Sequence, residues 1–219
     1  MTEYFPYGEK EIAWLKSRDA RLGEAIDRIG AVRREVIPDL FAALVHSVVG
    51  QQISSKAHAA VWARLQAGLG VVDPAAVNRA TAEELRGFGI SFRKAAYIKN
   101  AAAKAESGAF DFAAITGMSD ADAVAKLCEL DGIGTWSAEM LLLFSLRRPD
   151  ILSRGDFGIR RGLRMLHRHR ALSRELFEKY RRRYSPYGST ASLYLWAIAG
   201  GAIEGMQDPA APKKRKKKQ

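Results

Sequence analysis

The run Leu130-Asp131-Gly132-Ile133-Gly134-Thr135-Trp136-Ser137-Ala138 holds the end of one helix, a tight turn and the start of another. Two glycines let the backbone approach a surface closely and turn successive N–H groups outward. The helix that follows adds its N-terminal dipole and amides that lack intrahelical acceptors. Ile133, between the glycines, reads as an apolar plug packed inward. Such a turn suits a backbone clamp on a phosphate. An ordinary glycine-capped helix–helix connection has the same local pattern, so the run alone leaves both readings open.

Working outward, the pattern is helical throughout. Ser119 opens the helix before the turn, and 135–146 forms the one after it. Upstream, Leu22, Ala25, Ile26 and Ile29 recur at helical spacing and stop at Gly30. Pro38-Asp39 starts an apolar helix that Gly50 ends, Ser54 or Ser55 caps the next, and Ser91 opens another. Thr81-Ala-Glu-Glu84 is a capping box, in which Thr81 faces the N3 amide and Glu84 reaches back. Downstream lie 157–167, 173–184 and 189–200. Roughly ten helices and no convincing period-2 strand predict an all-α fold.

The chain has 219 residues, with 35 Lys+Arg against 24 Asp+Glu and a formal net charge of +11. Residues 1–146 carry 16 basic and 18 acidic side chains, residues 147–183 carry 13 and 4, and 213–219 (KKRKKKQ) carry six basic residues. Basic character gathered in one stretch and a tail points to a polyanionic partner such as nucleic acid. An arginine-rich solvated helix face is the plainer reading. A single cysteine, Cys128, excludes an intramolecular disulfide framework, a cysteine-based zinc site and a four-cysteine iron–sulfur cluster. His46, His58, His167 and His169 show no metal-ligand spacing, so no metal site is expected. No apolar run spans a membrane and the start lacks a signal-peptide pattern. The expectation is a soluble protein of the bacterial cytoplasm, near the nucleoid, or of a eukaryotic nucleus. Trp14, Trp62 and Cys128 read as core. The last residues, 208–219, read as a disordered basic tail, either a localisation signal or a DNA tether.

Asp156, in Ser153-Arg-Gly-Asp-Phe-Gly-Ile-Arg-Arg161, lies 20 residues after Trp136 at the start of a helix. It can be a plain N-cap, and a capping carboxylate is also rigidly aimed.

A helix-hairpin-helix followed by such a Gly-rich loop and Asp resembles the helix-hairpin-helix DNA glycosylase superfamily, in particular its 3-methyladenine DNA glycosylase II branch. The similarity runs from about Leu40 to Trp196. Val48-Val-Gly-Gln-Gln-Ile-Ser54 and Gly89-Ile-Ser-Phe-Arg-Lys-Ala-Ala-Tyr-Ile98 resemble the first two barrel-helix motifs, and Tyr187 to Trp196 the final helix. The resemblance implies a two-lobed helical fold with an active-site cleft between the lobes. One lobe would be the barrel of 40–145 that ends in the hairpin, the other 1–39 plus 146–207.

The resemblance also implies a monofunctional enzyme. Relatives that cut the backbone place a lysine nucleophile two residues after the second hairpin glycine, and this chain has Trp136 there. The target base would be flipped into a pocket and an alkylated purine released by hydrolysis, as in base excision repair. By the resemblance, Asp156 is the catalytic residue. Trp136, Met140, Trp196 and Gln51 line the base pocket, and Gln52 is the DNA wedge. Gly132, Gly134, Ser137, Lys94, Arg160 and Arg161 contact double-stranded damaged DNA. No cofactor is required, a monovalent cation on the hairpin carbonyls is compatible with the family, and the protein is expected to be a monomer. A glycosylase for another lesion (uracil, hypoxanthine or an oxidised purine) and a non-catalytic hairpin DNA-binding protein are the alternatives.

Overall fold

In the computed structural model, residues 2–210 are described. Among them are twelve α-helices, one 3-10 turn (Ala114–Gly117) and a two-stranded ribbon of β1 (Glu3–Tyr4) and β2 (Glu35–Val36). The all-α expectation holds, and strands of two residues are too short to leave an alternating pattern. No helix among the described residues is long and apolar enough to cross a membrane. The chain divides into two compact units, one of Glu35–Arg148 with the first residues, the other of Tyr4–Arg34 with the chain from Pro149 onward.

The first unit contains α3 (Leu40–Gly50), α4 (Ser55–Leu69), α5 (Pro74–Arg79), α6 (Ala82–Gly87), α7 (Phe92–Glu106), α8 (Asp120–Leu127) and α9 (Thr135–Phe144). Local chemistry sets most of their starts. Asp39, Ser54, Asp73, Ser91 and Ser119 each accept from the amide three residues on. At α6 the capping box forms in full, with Glu84 N to Thr81 Oγ1 at 3.1 Å and Thr81 N to Glu84 Oε2 at 2.7 Å. α3 and α9 are apolar nearly all round because both lie inside the unit. Val45, Val48, Ala138, Leu142 and Leu143 are fully buried, each large one contributing roughly 1.5–3 kcal/mol.

The second unit contains α1 (Glu9–Arg18), α2 (Ala20–Ile29), α10 (Phe157–His167), α11 (Arg174–Tyr184) and α12 (Gly188–Ala199). α12 is its axis, buried along almost its whole length. Tyr187 gives that helix no side-chain cap; instead Asp150 accepts from Gly188 N at 3.0 Å. α10 and α12 meet backbone to backbone, since a Cβ on Gly162 would lie 2.3 Å from the Leu195 carbonyl oxygen.

Two helices had not been expected. α1 buries only Leu15, so its core-facing stripe is too thin to show as a period. α5 has six residues, below the length at which periodicity is readable, although Asp73-Pro74 is a regular start. Three core assignments are corrected. Trp14 is 38% exposed, donating from Nε1 to the Ser185 carbonyl at 3.1 Å. Trp62 is half-buried, edge-on to His46. Cys128 is exposed at the end of α8, where the chain turns towards the hairpin. The tail expectation is shortened too, because Arg164 Nε and Nη2 hold Asp208 at 3.0 and 2.5 Å. The remainder of the expected disordered segment, 211–219, lies outside the described residues.

Each unit also holds a histidine away from solvent, His167 buried and His46 half-buried. His46, against His58, is pushed down to about 4 by burial and by its neighbour's charge. His167 is likewise pushed to about 4, burial outweighing the Asp19 carboxylate 3.4 Å away. Asp19 caps α2 and accepts from Arg183 Nη1 at 2.8 Å and from Tyr184 Oη at 3.0 Å. An unfolded histidine titrates near 6.5, so below that pH the unfolded chain binds protons first. Stability from both histidines is complete above pH 6.5 and is lost as pH falls towards 4. Thermal unfolding is expected about 5 °C lower at pH 5 than at pH 7, and His46→Gln or His167→Gln should flatten that slope. Identical slopes in wild type and variants would refute it.

Candidate active site

Three elements of the first unit build the hairpin and its surroundings. α9 begins directly at Gly134, which as N-cap offers no side chain to its first-turn amides. Gly132 is in the left-handed region at φ 79°, and a Cβ there would lie 2.4 Å from the Tyr97 ring. Ile133 is buried, as expected of the plug. The turn is held from one side by α7. Along that helix Lys94, Tyr97, Asn100 and Lys104 share a face, being three or four residues apart. Lys94 Nζ donates to the carbonyls of Val49 (2.8 Å) and Gln51 (2.6 Å), Tyr97 lies over Gly132, and Asn100 Nδ2 bonds Asp131.

The end of α3 closes the arrangement. Gln51 is its C-cap and donates from Nε2 to the Gly132 carbonyl at 2.8 Å, tying the expected pocket residue to the hairpin. Gln52 follows in the left-handed region at φ 56°, exposed, so its side chain leaves the protein surface at the bend. Trp136 is 45% exposed on the first turn of α9. A cavity of about 430 Å³ is lined by Ser47, Gln51, Gln52, His58, Trp136 and Ser137. Four residues singled out from sequence thus share one cavity.

Others are placed differently. Met140 is buried and does not line that cavity. Ser137 is only 6% exposed, so its side chain faces the cavity side rather than open solvent. Lys94 was expected on DNA, but its ammonium is engaged on two protein carbonyls, and burial together with Arg93 lowers its pKa. As for a hairpin cation, the Gly132 and Leu130 carbonyls already accept from Gln51 and from Ile133 N. Among the described residues no cluster of His, Cys, Asp or Glu is placed to hold a metal ion.

In the second unit Asp156 is 7% exposed and is the N-cap of α10. Its Oδ1 accepts from Ile159 N at 2.7 Å and from Trp196 Nε1 at 2.9 Å. The structure therefore brings Asp156 and Trp196 together, with the indole holding the carboxylate. Gly158 makes room for this contact, since a Cβ there would lie 2.7 Å from Trp196 Cδ1. Arg34 lies over the Trp196 ring at 5.9 Å. Arg160 is exposed, and Arg161 is 3.9 Å from Asp208.

Sequence reasoning missed Tyr97, Asn100, His58 and Gly158. The 94–97–100–104 spacing was a usable signal for the first two, whereas His58 and Gly158 matter only through contacts remote in sequence.

The family model of the HhH-GPD superfamily base excision DNA repair proteins matches residues 45–186. DNA-3-methyladenine glycosylase 1 of Schizosaccharomyces pombe is 30% identical over 176 residues, 78% of this chain and 76% of that protein. The crystal structure of a DNA-3-methyladenine glycosidase from Bacillus halodurans superposes with a TM-score of 0.78 at 36% identity, covering 90% of this chain and 93% of that one. The Schizosaccharomyces pombe 3-methyladenine DNA glycosylase in complex with abasic DNA gives a TM-score of 0.76 at 28% identity, covering 86% and 95%. With the hairpin, its buttress and the capped Asp156 in place, the chain belongs to the HhH-GPD superfamily of base excision DNA repair proteins.

Proposed function

We propose that this chain is a monofunctional DNA glycosylase that releases alkylated purines of the 3-methyladenine and 7-methylguanine type in base excision repair. The observation that carries the reading is Asp156, a buried carboxylate held by a backbone amide and an indole N–H. A carboxylate aimed in this way stabilises positive charge developing on the deoxyribose and orients the attacking water. An N-alkylated purine is already cationic and leaves with little acid assistance. Trp136 is 45% exposed, and a cation stacked on an indole gains roughly 0.5–2 kcal/mol. Gln52, exposed at the left-handed bend, is the side chain to fill the space of the flipped base. The Gly132–Gly134 backbone and the first-turn amides of α9 grip phosphate, Arg160 is a separate phosphate contact, and the enzyme acts as a monomer on double-stranded DNA.

The chemistry ends at base release, because no lysine stands at position 136 to form a Schiff base with the sugar. Duplex DNA containing 7-methylguanine should lose the base and keep its strand intact until heated in alkali. Borohydride should trap no protein–DNA adduct. Strand cleavage without alkali, or a trapped adduct, would overturn the hydrolytic reading. Retention of the base would overturn the glycosylase reading altogether.

A further inference from the structure

His58 is a half-buried histidine on the wall of the cavity that holds Trp136 and Gln51. It projects from the first turn of α4 and packs on α3 at Gly50. A Cβ at Gly50 would lie 2.7–3.0 Å from three atoms of the ring, so only glycine leaves the ring its place. The ring also lies tilted against His46, 4.1 Å between centroids, and its Nε2 is 3.0 Å from the His46 carbonyl oxygen. A carbonyl only accepts, so that contact places the proton on Nε2 and leaves Nδ1 as a lone-pair acceptor. Beside it, Gln51 gives its amide N–H to Gly132 and keeps its carbonyl oxygen as a second acceptor. The Ser137 hydroxyl completes the polar side of the cavity, with Trp136 as the aromatic side.

We propose that His58 is a specificity-determining residue of the base pocket, whose neutral imidazole accepts a hydrogen bond from an N–H of the alkylated purine. This rests on the glycosylase reading above and adds to it a means of selection. A cationic purine has N–H groups made more acidic by its charge, and these bind acceptors more strongly than those of an undamaged base. A pocket edged with acceptors favours such a ligand. Burial, with the Lys94 ammonium nearby, holds the imidazole below its ordinary pKa against the opposing His46 carbonyl, so it stays uncharged at neutral pH. The titratable groups facing it are His46 from α3 and Lys94 from α7.

The test uses the full chain and duplex DNA bearing 7-methylguanine. His58→Leu keeps the ring's approximate volume and removes the acceptor, while His58→Gln restores a neutral amide. The Leu variant should raise KM about tenfold with kcat within about threefold, and the Gln variant should recover most of the loss. Unchanged KM in both variants, or equal impairment in both, would overturn the assignment. An inactive wild type would instead remove the glycosylase reading on which it rests.

Discussion

Asp156→Asn is expected to reduce release of 7-methylguanine by about 10³-fold while leaving the fold and DNA affinity in place. The substitution is chosen because asparagine keeps what the carboxylate does structurally. Its Oδ1 still accepts from Ile159 N and Trp196 Nε1, and asparagine caps a helix about as well as aspartate. What it loses is the negative charge, the property the mechanism requires opposite a developing oxocarbenium ion. The comparison with Asp156→Ala separates the two roles, since alanine also removes the cap and should cost about 1 kcal/mol of stability. Single-turnover excision, DNA binding by anisotropy and thermal unfolding of the three proteins measure this. A loss of less than tenfold in the Asn variant would place the chemistry elsewhere.

The parts of this fold legible in sequence are those set by neighbours in the chain. Thr81 and Glu84 form their box because both partners lie within one helical turn. Asp156 reads as a cap for the same reason. What escaped is assembled by contacts distant in sequence. Trp196 reads as a wall of the pocket, but its N–H is directed at Asp156, 40 positions away. Lys94 reads as a DNA contact only through the family resemblance, since a lysine's partners are not visible in sequence. Its partners are two carbonyls at the end of α3.

Charge shows the same division. Thirteen basic residues between 147 and 183 suggested a continuous face for phosphate. In the structure Arg147 pairs with Glu3, Arg164 with Asp208, Arg181 with Glu178 and Arg183 with Asp19. Arg148 donates to the Thr116 and Met118 carbonyls. Arg154, Arg160, Arg168, Arg170, Arg174, Lys179 and Arg182 are exposed and remain the candidates for DNA. Composition counts charges, whereas a phosphate meets only those that the fold does not already use.

Gly132→Ala should be the most damaging change in the hairpin. Two costs coincide at this position. At φ 79° an L-residue is strained by about 1–2 kcal/mol, and the new methyl would lie 2.4 Å from Tyr97. The hairpin can yield only by shifting the peptide whose carbonyl accepts from Gln51, so the turn and the pocket loop move together. DNA affinity and excision are expected to fall at least about tenfold, a loss of roughly 1.4 kcal/mol. Adding Tyr97→Ala removes the collision and leaves the backbone strain, so the double variant should recover part of the loss, a coupling that a mutant cycle measures. Gly134→Ala is the informative contrast. Gly134 has φ −101° and a Cβ there meets nothing within 4 Å, so the folded protein tolerates the methyl. If Gly134→Ala weakens DNA binding while unfolding at nearly the wild-type temperature, the glycine is there for the approach of a phosphate. Unchanged affinity would instead reduce the Gly-Ile-Gly turn to a helix connection in which only Gly132 is required.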